Sequence, residues 1–167
     1  MIEMRIFTNL LVLSTLLVAL VAGLVFTFAL ITMPGIKKLD DAAFIRAFQV
    51  MDGIIQNGSP VFGLVWAGSV VALLIAAVLG FRQLDGLPQG LLVAATAIYI
   101  LGVQLPTVTI NIPLNNELQT LDVATMDRTA LEAARNQFEP RWNQWNLIRT
   151  VLAIVVTAML LIVLLTL

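Results

Sequence analysis

The chain has 167 residues, of which 60% are hydrophobic and 11% charged, a net charge of −1, and neither cysteine nor histidine. Those two absences exclude disulfides, thiol redox chemistry, iron–sulfur ligation, His-based catalysis and histidine-held haem, zinc or copper. Soluble proteins carry roughly a quarter charged residues, so this composition predicts a polytopic membrane protein of one domain, 1–167, with the lipid bilayer as its first partner and no basic stripe for nucleic acid.

The first apolar run covers about 6–33 and holds no charge between Arg5 and Lys37. About 20 apolar residues cross a bilayer, so this run spans it. It is too long for a signal-peptide core of roughly 7–15 residues and reads as retained. Ala19, Gly23 and Thr27 recur every four residues, which predicts a small-residue face for close helix packing. Met33-Pro34-Gly35 is expected to end the helix, with Lys37 and Lys38 at the headgroups. A short amphipathic helix follows over about 40–57, capped by Asp40 or Asp41, with Phe44, Phe48, Met51 and Ile55 at helical spacing. Its polar members include Arg46, Gln49, Asp52 and Asn57. Two placements fit it: flat on the membrane surface, or folded over the bundle mouth.

Gly58-Ser59-Pro60 breaks the chain before a second span, about 61–81, with Gly68, Ala72 and Ala76 as another small-residue stripe. The tight Arg82–Pro88 turn makes the third span, about 89–112, its antiparallel neighbour. Residues 86–116 are uncharged, roughly 10 more than one crossing needs. The excess holds two prolines and a run of amides and hydroxyls. A second amphipathic helix, about 127–146, leads into the fourth span, about 147–167, with Pro140 expected in the first turn of a new helix. The fold class is therefore all-α: a four-span bundle with two longer amphipathic connections on one side. Seven Lys/Arg lie on the side of those connections and two, Arg5 and Arg82, on the other. The positive-inside rule places the connections in the cytoplasm and both termini outside, in the cell membrane.

Polar residues gather at one depth. Gln104, Thr107, Asn111 and Asn115 are spaced by three, four and four residues, one stripe in a continuous helix. Pro106 and Pro113 are expected to bend or unwind it locally. Trp142, Trp145, Asn146 and Arg149 form a second stripe at the start of the fourth span. Gln49, Asp52, Asn57 and Glu117 open on the same side. Tryptophans near helix ends commonly anchor at the interface, arginines snorkel, and amides tie helices together. Two matched stripes exceed what such ties require, and polar residues clustered inside a membrane mark a functional site.

The segment Asn111-Ile112-Pro113-Leu114-Asn115, followed by Trp142-x-x-Trp145-Asn146-x-x-Arg149-Thr150, resembles the anthrone oxygenase-like family of small membrane proteins. The resemblance extends over nearly the whole chain, including Met33-Pro34 and the Asn57/Pro60 turn. Bacterial members are mostly of unknown function; some fungal members oxidise anthrones to anthraquinones. Many relatives have histidine after the tryptophan–asparagine pair, where this chain has Leu147, which removes a histidine-assisted step. The resemblance implies an oxygenase acting on a flat aromatic or phenolic substrate with dioxygen. Anthrones are acidic at carbon and their enolates react with dioxygen unaided, so no cofactor and no metal are expected. In that chemistry Trp142 and Trp145 stack on the ring, with Gln104, Thr107, Gln49 and Asn57 as further binding groups. Asn111, Asn115, Asn146 and Arg149 stabilise the enolate oxygen, and Asp52 or Glu117 is the base. The alternative is a non-catalytic bundle binding a lipid, a quinone-like molecule or a partner helix. A proton-coupled transporter ranks third, because no span carries a deep acidic residue.

Overall fold

The computed structural model describes residues 2–167. The described residues form five helices and contain no strand. Helix α1 runs Ile2–Ile36, α3 Pro60–Gln83, α4 Gly86–Gln119 and α5 Arg128–Leu165; all four are long and apolar enough to cross a membrane. Helix α2, Asp41–Gln56, is the amphipathic connection between α1 and α3. Side-chain caps start three of these helices: Asp40 Oδ1 accepts from the Ala43 N–H at 2.8 Å, Ser59 Oγ from Phe62 at 3.4 Å, and Asp127 Oδ1 from Ala130 at 2.8 Å. Gly58, at φ +83°, turns the chain out of α2, and Gly86, at φ +59°, makes the tight turn into α4.

The helices form a ring in which α1 packs against α3 and α5, and α4 packs against α5. Phe7, Leu11, Val18, Leu73, Leu92, Tyr99, Val103, Val156 and Leu160 fill the space between them. The Gly68/Ala72/Ala76 stripe faces inward: an added Cβ at Gly68 would touch Leu17 at 3.4 Å, and Ala72 and Ala76 are buried. Gly80 sits so close to Phe7 and Leu92 that no side chain fits there without displacement. The Ala19/Gly23/Thr27 stripe behaves otherwise. Gly23 and Thr27 are exposed and nothing lies near Gly23, so this small-residue face packs against no other helix of the described chain.

Three prolines leave one signature. A ring at position i collides with the carbonyl four residues earlier. The chain relieves each collision by widening the preceding turn into a π-turn: Phe28–Thr32 before Pro34, Tyr99–Gln104 before Pro106, and Thr107–Asn111 before Pro113. In each case the residue just before the proline donates to the carbonyl five back: Met33 to Phe28, Leu105 to Ile100, Ile112 to Thr107. Helix α1 ends at Ile36, one residue past the Met33-Pro34-Gly35 stop expected from sequence. One expectation is corrected here. Pro140 does not open a new helix; it lies inside α5, which is continuous from Arg128.

At 1.5 Å per residue α5 is about 57 Å long and α3 about 36 Å, while the hydrocarbon layer is about 30 Å thick. α1, α4 and α5 therefore extend beyond the layer on the side away from Arg82 and Asp85. α2 folds over those extensions rather than lying apart from them. It buries Phe44, Ile45 and Phe48 against Met33, Leu114, Leu118, Phe138 and Trp142. Phe48 meets the Phe138 and Trp142 rings edge-on, at 4.6 and 5.4 Å between centroids.

Candidate functional site

Beneath α2 the ring encloses a cavity of about 220 Å³. Small-molecule sites occupy roughly 300–1,000 Å³, so this one suits a compact ligand. Every helix contributes to its wall: Leu24, Val25 and Phe28 from α1; Phe48, Asp52 and Ile55 from α2; Phe62 and Trp66 from α3; Thr107, Asn111 and Asn115 from α4; Trp142, Asn146 and Arg149 from α5. The π-turns border it directly, since Phe28, Thr107 and Asn111 all lie within them. Wide turns of this kind recur at functional sites because they re-aim side chains.

Its inner end is built around Arg149. The guanidinium is 4% exposed and has no acidic partner among the described residues. Its Nη1 donates to Thr107 Oγ1 at 2.8 Å and its Nη2 to Asn146 Oδ1 at 2.9 Å. Thr107 in turn donates to the Val103 carbonyl at 2.7 Å, and the Asn146 amide to the Val25 carbonyl at 3.0 Å. Arginine carries only donors; both neighbours are therefore oriented to present oxygen to it, and the Nε–H is left without a partner. The Trp142 ring lies 5.9 Å from the guanidinium carbon, within range of a cation–π contact. Asn111, 2% exposed, has a buried Oδ1 with no partner, while its amide reaches the Trp142 carbonyl at a long 3.4 Å. A buried unpaired donor or acceptor costs about 1–3 kcal/mol. The cavity wall carries one of each.

Its outer end is built around Asp52, which is 5% exposed. Three amides converge on the carboxylate: Asn115 on Oδ1 at 2.8 Å, and Gln56 and Gln119 on Oδ2 at 2.6 and 3.1 Å. Asn115 also accepts the Trp142 indole N–H at 2.8 Å. The bonds run in order from Asp52 through Asn115 to Trp142, whose ring stands beside Arg149.

Seven residues proposed from sequence as site members line the cavity on these two ends, namely Asp52, Thr107, Asn111, Asn115, Trp142, Asn146 and Arg149. The others stand apart from it. Gln49 fastens α2 to the carbonyls of Leu118 and Leu121 at 2.8 and 3.0 Å. Asn57 is exposed at the end of α2. Glu117 is exposed in a separate surface cleft beside Leu121 and Gln137. Trp145 is half-buried on the flank of α5, because i+3 and i+4 diverge by roughly 100° around a helix and Asn146 takes the inward direction. Gln104 turns toward α3, where its Oε1 accepts the Trp66 indole at 2.8 Å. The two π-turns break the angular register that a 3-4-4 spacing presumes, so Gln104 is not in line with Thr107, Asn111 and Asn115.

Sequence reasoning missed Trp66, Phe28, Gln56 and Gln119. A signal for Trp66 existed: a tryptophan seven residues into a span is away from the interface where that residue usually anchors. The Ser59 and Pro60 start of α3 fixes its depth. Gln56 and Gln119 had no signal, since a glutamine at a helix end reads as ordinary surface.

No curated protein and no solved structure matches the chain. The family model for anthrone oxygenase matches residues 51–159, about two thirds of the sequence. The matched segment holds both ends of the cavity, from Asp52 to Arg149, and leaves out the Phe28 and Phe48 walls. With that match the chain belongs to the anthrone oxygenase family.

Proposed function

We propose that the cavity binds a flat aromatic ketone with an acidic methylene, an anthrone or a close phenolic relative, and commits it to oxidation by dioxygen. One observation carries this: a buried arginine with no counter-ion among the described residues stands at the end of an aromatic-walled cavity whose other end holds a carboxylate. Asp52 and Arg149 touch α4 at Asn115 and Thr107, about 12 Å apart along that helix at 1.5 Å per residue. That leaves room for one six-membered ring with a contact of about 3 Å at each end. In an anthrone the methylene and the carbonyl lie at opposite positions of the central ring, so the base and the oxyanion donor belong at opposite ends.

The steps balance without a redox group on the protein. Asp52 takes a methylene proton. Arg149, through its free Nε–H, receives the enolate oxygen, and a fixed donor in a dry site stabilises developing charge with no reorganisation at the moment of reaction. The enolate carbon adds dioxygen, the peroxide is protonated, and the hydroperoxide loses water to leave a ketone. One dioxygen is consumed; one of its oxygens enters the product and the other leaves as water. Trp142, Phe28 and Phe48 offer the apolar faces for the rings. Purified protein given anthrone is expected to consume oxygen and form quinone in equal amounts, without accumulating hydrogen peroxide. No uptake on any anthrone or phenol leaves only a binding role.

We also propose that α2 and the α4–α5 connection face the cytoplasm. Arg135 is engaged with Asp41 and Glu139, at 3.0 and 2.8 Å, and Arg149 is buried. Lys37, Lys38, Arg46, Arg128 and Arg141 remain exposed on that side against Arg5 and Arg82 on the other, so the bias survives. The chain has no cysteine, and Thr125→Cys in the α4–α5 connection gives a unique thiol. In intact cells it is expected to resist a membrane-impermeant maleimide and to react after lysis. Labelling in intact cells reverses the orientation.

A further inference from the structure

We infer that the cavity opens sideways into the bilayer, through a gap between α3 and α4, and that its ligand arrives from lipid. This rests on reading the cavity as a ligand site. Three of the four seams in the helical ring are closed by packing: α1 with α3, α1 with α5, and α4 with α5, the last continuing through both π-turns of α4. The fourth differs. α3 packs against α4 over Gly86–Ile98, next to the turn that joins them. Beyond it, long side chains cross the seam: Ser69 to Tyr99 at 2.6 Å and Trp66 to Gln104 at 2.8 Å. The Phe62 and Trp66 rings, stacked at 5.4 Å and 20°, form the α3 side of the gap. Ile112 forms the α4 side and is 43% exposed while also lining the cavity. Above it, Gln56 of α2 reaches Asn116 at 3.2 Å.

The opening is thus bounded below by Trp66–Gln104 and above by Gln56–Asn116. Along α4 those limits are about 18 Å apart at 1.5 Å per residue, tall enough to admit a fused-ring molecule edge-on. Its outer margins are apolar. Val61 and Leu64 on α3, and Leu105 and Val108 on α4, are each at least half exposed. Such a rim favours lipid over water, because apolar area in water costs about 25 cal/mol per Å². Depth agrees. Phe62 lies twenty residues before Arg82, about 30 Å along α3, so the opening begins where the hydrocarbon meets the headgroups on the α2 side. A flat aromatic ketone partitions into that zone.

The cysteine-free chain permits a direct test. Nitroxide labels at Phe62→Cys and Ile112→Cys, in bilayers, are compared with Val71→Cys on the lipid face of α3 and Thr125→Cys in the connection. Collision with dioxygen, which concentrates in lipid, is set against collision with a water-soluble nickel chelate. The two margin positions are expected to group with Val71, favouring dioxygen, and anthrone is expected to slow their motion without affecting Val71. Grouping with Thr125 overturns the lateral opening and leaves the ligand reading intact. Lipid-type accessibility with no response to saturating anthrone instead removes the ligand reading on which the inference stands.

Discussion

Replacing Arg149 by Met is expected to lower anthrone-dependent oxygen uptake by about 100- to 1,000-fold, the usual loss for one oxyanion donor, and to leave the protein as stable as before or more so. The two effects have one cause. Arg149 is buried with no anionic partner among the described residues, and a buried unpaired charge costs several kcal/mol. Methionine is of similar length, forms helix well and removes that cost. It leaves the buried oxygens of Thr107 and Asn146 without that donor, a cost of about 1–3 kcal/mol each, which the removed charge offsets. A structural arginine shows the opposite pattern, with stability falling and activity following it. Thermal unfolding in detergent beside oxygen uptake separates the two. Activity retained in Arg149→Met removes the oxyanion role.

Asp52→Asn is expected to fail differently. As the proposed base its loss costs about 100- to 10,000-fold in rate, the usual contribution of a positioned general base. Here stability falls as well, by about 1–3 kcal/mol, the cost of a buried polar group left facing the wrong partner. The carboxylate accepts from Gln56, Gln119 and Asn115; an asparagine side chain turns its own NH₂ against one set of those donors. That loosens the tie between α2 and α4. Glu117→Gln, on the exposed cleft, is expected to change neither quantity. Full activity in Asp52→Asn together with loss in Glu117→Gln reverses the assignment of the base.

The four apolar helices, the amphipathic α2 and the gathering of polar residues at one end of the bundle were legible in the sequence, because each depends on a local quantity: apolar length, helical spacing, or the position of a charge. Asn111, Asn146 and Arg149 were legible as candidates for a similar reason, since polar groups in an apolar run demand partners. Legibility stopped where angle mattered. Trp145 and Asn146 are neighbours in a motif, yet the helix sends only one of them inward. Gln104 and Thr107 are three apart, but the π-turns between Tyr99 and Asn111 send one to α3 and the other to Arg149.

By itself the sequence determined an all-α membrane bundle without thiol or imidazole chemistry, and membership of the anthrone oxygenase family over residues 51–159. Only the tertiary structure decided which carboxylate lines the cavity with Arg149, that α2 packs over it, and that α3 and α4 pack together mainly next to the turn that joins them. Composition and spacing fix what a helix is and how deep it sits. Which side chains meet depends on helix rotation, and three prolines set that rotation by widening turns, an effect that periodicity alone does not register.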